Sequence, residues 1–456
     1  MSAAEPLELA RSVLTGAEPG EAAEVCVGRS VETTVRVHGG EVESLTVAEA
    51  RGVGVRVVID GPDGRREGTA HAGSFDADVL APLLAEARDN ATFAEPDERV
   101  GLAEPDGVAV IGMDQWDESV ATTDHDTKIS LALAVEAAVR AADPRVRGVR
   151  TAIYADTRSE SAIASTTGIE ASASGTMASL STSALIDDLD GGTRTGTALD
   201  AARGPVGLDP EEVARLAVAR GLRLLGAGPP RTGRPLVVFE PRFSATVLSL
   251  VGGMLSGERV VKGRTPFADR TGEGVAAPTV TLVDDPTDIE SLGASPTDGE
   301  GLACRRVPLL SEGVLEGFLH DSRSARGCGT VSTGSAVRSV RGGPSPGHRA
   351  LHVEPGGGDL ASLVAGIDDG LLVASLQGLH SGVNPVSGDF SVGVEGVLIR
   401  DGALAEPIRE ATLAGAIPRM LLDVVAVGAD LEAQPGGALV PTLVVEGLTL
   451  GGGGGS

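Results

Sequence analysis

Period-two alternation, cut by glycine turns, restricts the fold more than any other feature of this chain. Residues 32–38, ETTVRVH, alternate polar and apolar side chains and stop at Gly39-Gly40, a pair suited to a hairpin because both positions accept positive φ. The pattern resumes over residues 41–48 and 52–59, turns at Gly61-Pro62-Asp63-Gly64 and continues through residues 65–72. Side chains that repeat every second position line one face of a sheet and cannot line one face of a helix. Residues 76–93 then change period, with Leu80, Leu83, Leu84 and Ala87 on one helical face. A short amphipathic helix is expected before them, over residues 6–14. Strands followed by a covering helix predict an α+β unit.

Residues 95–115, rich in Pro, Glu, Asp and Gly, read as a connector. A helix is expected over 126–142, strands over 148–188, and a helix over 210–225. Asp209 is its N-cap, with Pro210, Glu211 and Glu212 in the first turn. Residues 171–186, ASASGTMASLSTSALI, carry small side chains in alternation. Such a strand suits either a sheet that something else approaches closely or a thin-sided edge or sandwich strand. The Gly/Pro-rich stretch 226–235 is the strongest boundary. Beyond it, 236–239 is a buried-strand run and 241–255 has helical period through Phe243, Val247, Leu250, Val251 and Leu255. From about residue 277 the chain is strand-rich, interrupted by helices near 360–367 and 417–424. The expected organisation is an N-terminal α+β domain (1–110), a middle α+β domain (116–228), a large β-rich C-terminal domain (232–450) and a linker-like tail (451–456), GGGGGS, left outside the fold.

The core available to these strands is aliphatic: 41% of residues are hydrophobic but 2% aromatic, enough for a sizeable interior built on Val, Leu and Ala. The 64 acidic and 37 basic residues leave a net charge of −27, which repels phosphate backbones and anionic membranes. One Trp and one Tyr provide no stacking platform for nucleic acid. No apolar stretch reaches the ~18 residues of a membrane span, and MSAAEPLELARSVL lacks the basic-then-apolar order of a signal peptide. Cys26, Cys304 and Cys328, odd in number and far apart, form neither a disulfide framework nor a zinc cluster. Together these features predict a cytoplasmic protein with no nucleic-acid or membrane partner.

No phosphate loop GxxxxGK[ST] occurs. Of the seven histidines, only His348 and His352 have ligand spacing. The prolines and glycines around them favour a strand, where i and i+4 lie about 13 Å apart, too far for one metal. The densest polar loop is 377–391, QGLHSGVNPVSGDFS, between two strand-like runs. Gln377, His380, Asn384, Asp389 and Ser391 are its candidate substrate- or cavity-facing residues. The same residues also suit a structural turn whose Asn and Asp bond their own backbone. His380 and Asp389, with Ser381, are the nearest approach to a Ser/His/Asp grouping.

Longer runs resemble a known family. GxNxxxGDFSxGxxGxxIxxG over 382–402, TLAGAIPRMLLDVVAVGAD over 412–430, VDDPTDIESLGASPTDGEG over 283–301 and SGERVVKGRTPF over 256–267 are similar to the TldD/PmbA family. So are the N-terminal strands ending in RGVGVRVVIDG and REGTA, so the resemblance spans nearly the whole chain. It implies the family's fold and one of two subunit types. The TldD type carries HExxxH at the helix that opens the C-terminal domain, plus a late Cys. Its two His hold zinc and its Glu activates water. The TldE (PmbA) type lacks the motif. Here the matching place reads Phe239-Glu240-Pro241-Arg242-Phe243-Ser244: the Glu remains, Phe239 and Ser244 replace the His positions, and LEAQPGGALVP over 431–441 has no Cys. The resemblance therefore implies a TldE-like chain with no catalytic or metal-binding residue of its own and no cofactor. Glu240 is then a structural remnant. Zinc belongs to a TldD-type partner in a heterodimer, and the substrates are small or unfolded peptides, in general proteolysis or in natural-product maturation. The alternatives are a standalone peptide-binding protein and an amide-processing enzyme with non-zinc chemistry that uses His380 and Asp389.

Overall fold

The computed structural model describes residues 4–452 and has the α+β architecture expected, in two masses. The first contains α1 (Ala4–Leu14), β1 (Ala22–His38), β2 (Glu41–Gly61), β3 (Gly64–Ala72), α2 (Ala77–Leu80) and α3 (Leu83–Phe93). It continues with α4 (Ser119–Thr122), α5 (His125–Ala142), β4 (Val146–Ser165), β5 (Glu170–Asp187), β6 (Thr193–Ala202) and α6 (Pro210–Leu222). The two stretches expected as separate domains build one six-stranded antiparallel sheet, β3-β2-β1-β4-β5-β6. β1 and β4 pair at its centre, from Glu24 opposite Ser165 to Val37 opposite Ala152. Each half repeats one plan of helix, three-strand meander and covering helix. The connector joins halves of a single sheet and is not a free linker. Asp97 pairs with Arg323 at 2.7 Å, and Arg326 donates to the carbonyls of Arg99, Gly101 and Leu102.

Locally the elements follow the sequence, with five differences. β1 starts at Ala22, ten residues before the alternation that marks it. β2 is one strand rather than two. The helix expected over 76–93 breaks around Pro82, which has no N–H to continue it. β6 lies in a stretch whose pattern is too weak to assign. Asp209 caps α6 as expected, accepting from the amides of Glu211 and Glu212, but the helix ends at Leu222.

Helix and strand approach closely in both halves because a strand residue lacks a side chain. A Cβ on Gly68 of β3 would lie 1.9 Å from Ala87 O of α3, and one on Gly196 of β6 would lie 2.0 Å from Ala217 O of α6. Gly196→Ala should therefore cost about 1–3 kcal/mol through displacement of α6. A shift in urea-unfolding free energy below about 0.5 kcal/mol would show that the helix rides free of the strand.

The second mass follows the 226–235 linker and opens with β7 (Leu236–Phe239) and α7 (Pro241–Met254). A seven-stranded sheet runs in the order Val424–Val427, Leu443–Val445, β7, Asp369–Gln377, Asp389–Arg400, Ala403–Ala416, Thr449–Gly452. The last strand corrects the expected tail: Gly451 and Gly452 pair with Thr412 and Ala411, so the sheet takes in residues set outside the fold. Residues 453–456 lie outside those described. A six-stranded sheet runs in the order Val314–Leu315, Val307–Ser311, Leu282–Asp284, Leu351–Val353, Leu439–Val440, Glu432–Ala433. The main aliphatic core gathers residues from both sheets and α7, with Phe239, Phe267 and Phe318 its buried aromatics.

The two masses are tied by charge buried between them. Glu24 of β1, 1% exposed, pairs with Arg338 of the second mass and, at 3.2 Å, with Arg56 of β2. Arg56 also reaches Glu67 at 3.3 Å. Burial opposes ionisation of Glu24, but Arg56 and Arg338 outweigh it and hold the carboxyl below its ordinary range.

Candidate functional site

β7 feeds α7 through Phe239-Glu240-Pro241. Pro241 occupies the first helical turn, where its missing N–H costs nothing. Phe239 points into the main core and is 2% exposed. Ser244, fully buried, donates from Oγ to Phe239 O at 3.0 Å. Glu240 lies between two guanidinium groups, 3.0 Å from Arg223 Nη1 of the segment after α6 and 3.5 Å from Arg242 Nε. These residues do not fit zinc. One side chain has no donor atom, one uses its hydroxyl on the backbone, and the carboxylate is held by two cations. Among the described residues, no group of three or more His, Cys, Asp or Glu is arranged to hold a metal.

A cleft of about 680 Å³ opens beside this junction, between β5, β6 and α6 of the first mass and the 432–435 segment of the second. Arg242 lines it, together with Arg220 and Glu432. The strand 171–186 supplies one wall. Its Ala178, Leu180, Thr182, Ala184 and Ile186 face α5 and α6 and are buried, and its Ser181 and Ser183 turn toward the cleft, half-buried. The alternation of small residues thus marks a sheet packed by helices on one face and faced by the other mass on the opposite one.

The polar loop 377–391 begins near this junction and ends far along α7. Arg242 Nη2 donates to Ala374 O at 3.0 Å, just before Gln377, and Gly388 packs on Met254 at the end of α7. Gln377, His380, Asn384, Asp389 and Ser391 are all exposed. Asn384 Oδ1 accepts from the amides of Val386 and Ser387, and Asp389 Oδ2 accepts from Ser387 Oγ at 2.7 Å. Asn384 and Asp389 thus close the loop on itself. No hydrogen bond joins His380 to Asp389 among the described residues.

The fold assembles a different Ser/His/Asp group from distant segments. Ser249 Oγ lies 3.2 Å from His348 Nε2, and His348 lies near Asp284, whose Oδ1 accepts from the amides of Arg349 and Ala350. Burial pushes His348 down and Asp284 up. Ser249 sits in the middle of α7, whose amides are committed to the helix, so α7 supplies no oxyanion donors. His352 is in the strand Leu351–Val353, with Nε2 buried and unpartnered. Gly343-Pro344-Ser345-Pro346-Gly347 matches the letters of a nucleophile elbow, but Ser345 lies in a two-residue strand and the following proline has no N–H to offer an oxyanion. Sequence reasoning missed Arg220 and Arg223, which meet Arg242 and Glu240 only in the folded chain.

Three family models cover most of the chain: PmbA/TldA metallopeptidase domain 1 over residues 23–91, the central domain over 118–225 and the C-terminal domain over 232–452. The chain is 26% identical to Metalloprotease PmbA of Escherichia coli O157:H7 over 448 residues, covering 97% of this chain and 96% of that one. A Metalloprotease PmbA homolog of Haemophilus influenzae is also 26% identical, over 94% and 93% of the two chains. The crystal structure of TldE from Thermococcus kodakarensis superimposes with a TM-score of 0.88 at 25% identity, covering 99% of this chain and all of that one. No helix among the described residues is long and apolar enough to cross a membrane.

Proposed function

This chain belongs to the PmbA/TldD family, and on that footing we propose that it is the TldE-like, non-catalytic subunit of a two-subunit zinc peptidase acting on small or unfolded peptides. In this reading a TldD-type partner holds the zinc, while this chain encloses the shared cavity and shapes access to it. The observation that carries the proposal is the β7–α7 junction: Phe239 is core, Ser244 bonds the backbone and Glu240 is clamped by Arg223 and Arg242. A water-activating carboxylate needs a metal or a proton acceptor role left open to it, and this one is occupied. The likeness to a TldE structure over almost the whole chain supports the same assignment.

The test is to purify the chain alone and together with a TldD-type protein bearing HExxxH, then measure zinc and cleavage of an unstructured peptide. Zinc and cleavage are expected only with the partner, and Glu240→Gln should leave the pair within about twofold of full activity. Stoichiometric zinc in the lone chain, or a loss of about a hundredfold from Glu240→Gln, would sink the proposal.

A further inference from the structure

The cleft beside the β7–α7 junction holds two guanidinium groups, of which Arg242 shares the Glu240 carboxylate with Arg223. Arg220 donates to Thr197 O at 3.0 Å, and no carboxylate lies within ion-pair distance of it among the described residues. Arg242 stacks on the Phe243 ring, 4.3 Å from its centroid, which fixes the plane of its fork. Its Nε is buried 3.5 Å from Glu240 Oε2 and makes no hydrogen bond. Burial and the neighbouring charge of Arg220 push Arg242 down to about 10 against the pull of Glu240, so the two cations of the cleft repel each other. The other carboxylates of the cleft do not relieve this. Glu212 is paired with Arg215 at 2.6 Å, Asp200 accepts from the amide of Asp209, and burial pushes Glu432 toward its neutral form against the pull of Arg220.

We propose that this cleft is a carboxylate-binding site in which Arg220 and Arg242 receive the C-terminal carboxylate of a short peptide, with the Ser181 and Ser183 hydroxyls beside its backbone. A planar carboxylate matches the fork of an arginine, and an anion between two guanidinium groups turns their repulsion into attraction. A net charge of −27 disfavours polyanions at long range and tolerates a ligand carrying a single charge. The inference rests on the peptide-processing reading above and gives this chain a share in substrate or product recognition.

The test uses the full chain alone, titrated by calorimetry at low salt with acetyl-trialanine as the free acid and as the C-terminal amide. The acid should bind about tenfold more tightly, ~1.4 kcal/mol, and Arg220→Gln should abolish that preference. Arg220 is half-buried with a single backbone partner, so the variant should keep its fold, which far-UV circular dichroism checks. Equal affinity for acid and amide, or a preference that survives Arg220→Gln, overturns the proposal. Displacement of the acid by inorganic phosphate at equal concentration also overturns it, by showing a site for free anions. These outcomes are independent of the pairing test: a pair that cleaves normally while the lone chain ignores the acid removes the cleft assignment and leaves the subunit assignment standing.

Discussion

Glu24→Ala should lower the stability of the chain by about 3–5 kcal/mol, read as the free energy of urea unfolding at pH 7. The substitution removes the carboxylate shared by Arg56 and Arg338, whose side chains are 3% and 7% exposed. Arg56 keeps Glu67, but Arg338 keeps only a 3.4 Å bond to Gly299 O. A guanidinium left in the interior without a counter-charge costs far more than the pair was worth, because water cannot replace the lost partner. The exposed pair between Arg11 and Glu170, at 2.6 Å, is the control: Arg11→Ala should cost far less than Glu24→Ala, because water screens the pair and replaces the lost partner. Equal effects from the two substitutions would show that the charges between the masses are hydrated and do not hold them together.

The second large effect concerns pH. Glu300 is 1% exposed; its Oε2 accepts from the amide of Ser322 at 2.8 Å and its Oε1 has no partner. Burial, with help from Asp298 and against the pull of Arg56, raises its pKa from 4.5 to about 7. The raised value means that the folded chain holds a proton that the unfolded chain has lost. This group's contribution to stability is therefore complete below about pH 4.5, falls as pH rises toward 7, and is gone above it. The total is about 3 kcal/mol. Glu24 acts in the opposite sense, since its depressed value makes its contribution fade as pH falls. Glu300→Gln keeps an acceptor for Ser322 and removes the ionisation. The variant should match the parent at pH 4.5 and exceed it by about 3 kcal/mol at pH 8. A gap of the same size at both pH values would mean that Glu300 is not the group that titrates.

What could be read from the sequence divides by how local the determining physics is. The hairpin at Gly39-Gly40 and the cap at Asp209 were legible because a few adjacent residues decide them; the two glycines have φ of 67° and 80° and donate their amides to Glu136. The junction Phe239 to Ser244 was legible because six contiguous residues stand where the resemblance places a metal motif, although the clamp on Glu240 was not. Arg223 lies 17 positions earlier in the chain and comes into range only when the end of α6 meets the β7–α7 junction. That the two N-terminal domains share one sheet was illegible for the same reason. The pairing of β1 with β4 is set by edges more than a hundred residues apart, and nothing within either strand names its partner. The tail failed differently: glycine repeats look like linker, yet a strand needs only backbone to pair, and Gly451 and Gly452 offer it opposite Thr412 and Ala411.

The central pairing of the first sheet has a consequence for biosynthesis. β1 is complete at His38, and β4 begins at Val146, roughly a hundred residues later. At about 5–20 residues per second on the ribosome, the inner edge of β1 waits roughly 5–20 seconds for its neighbour. In that interval a strand of 17 residues presents an unsatisfied row of amides and carbonyls beside an aliphatic surface. The exposed edge can then pair with another nascent copy on the same polysome. The yield of native chain should therefore depend on elongation rate and on chaperones that shield strand edges.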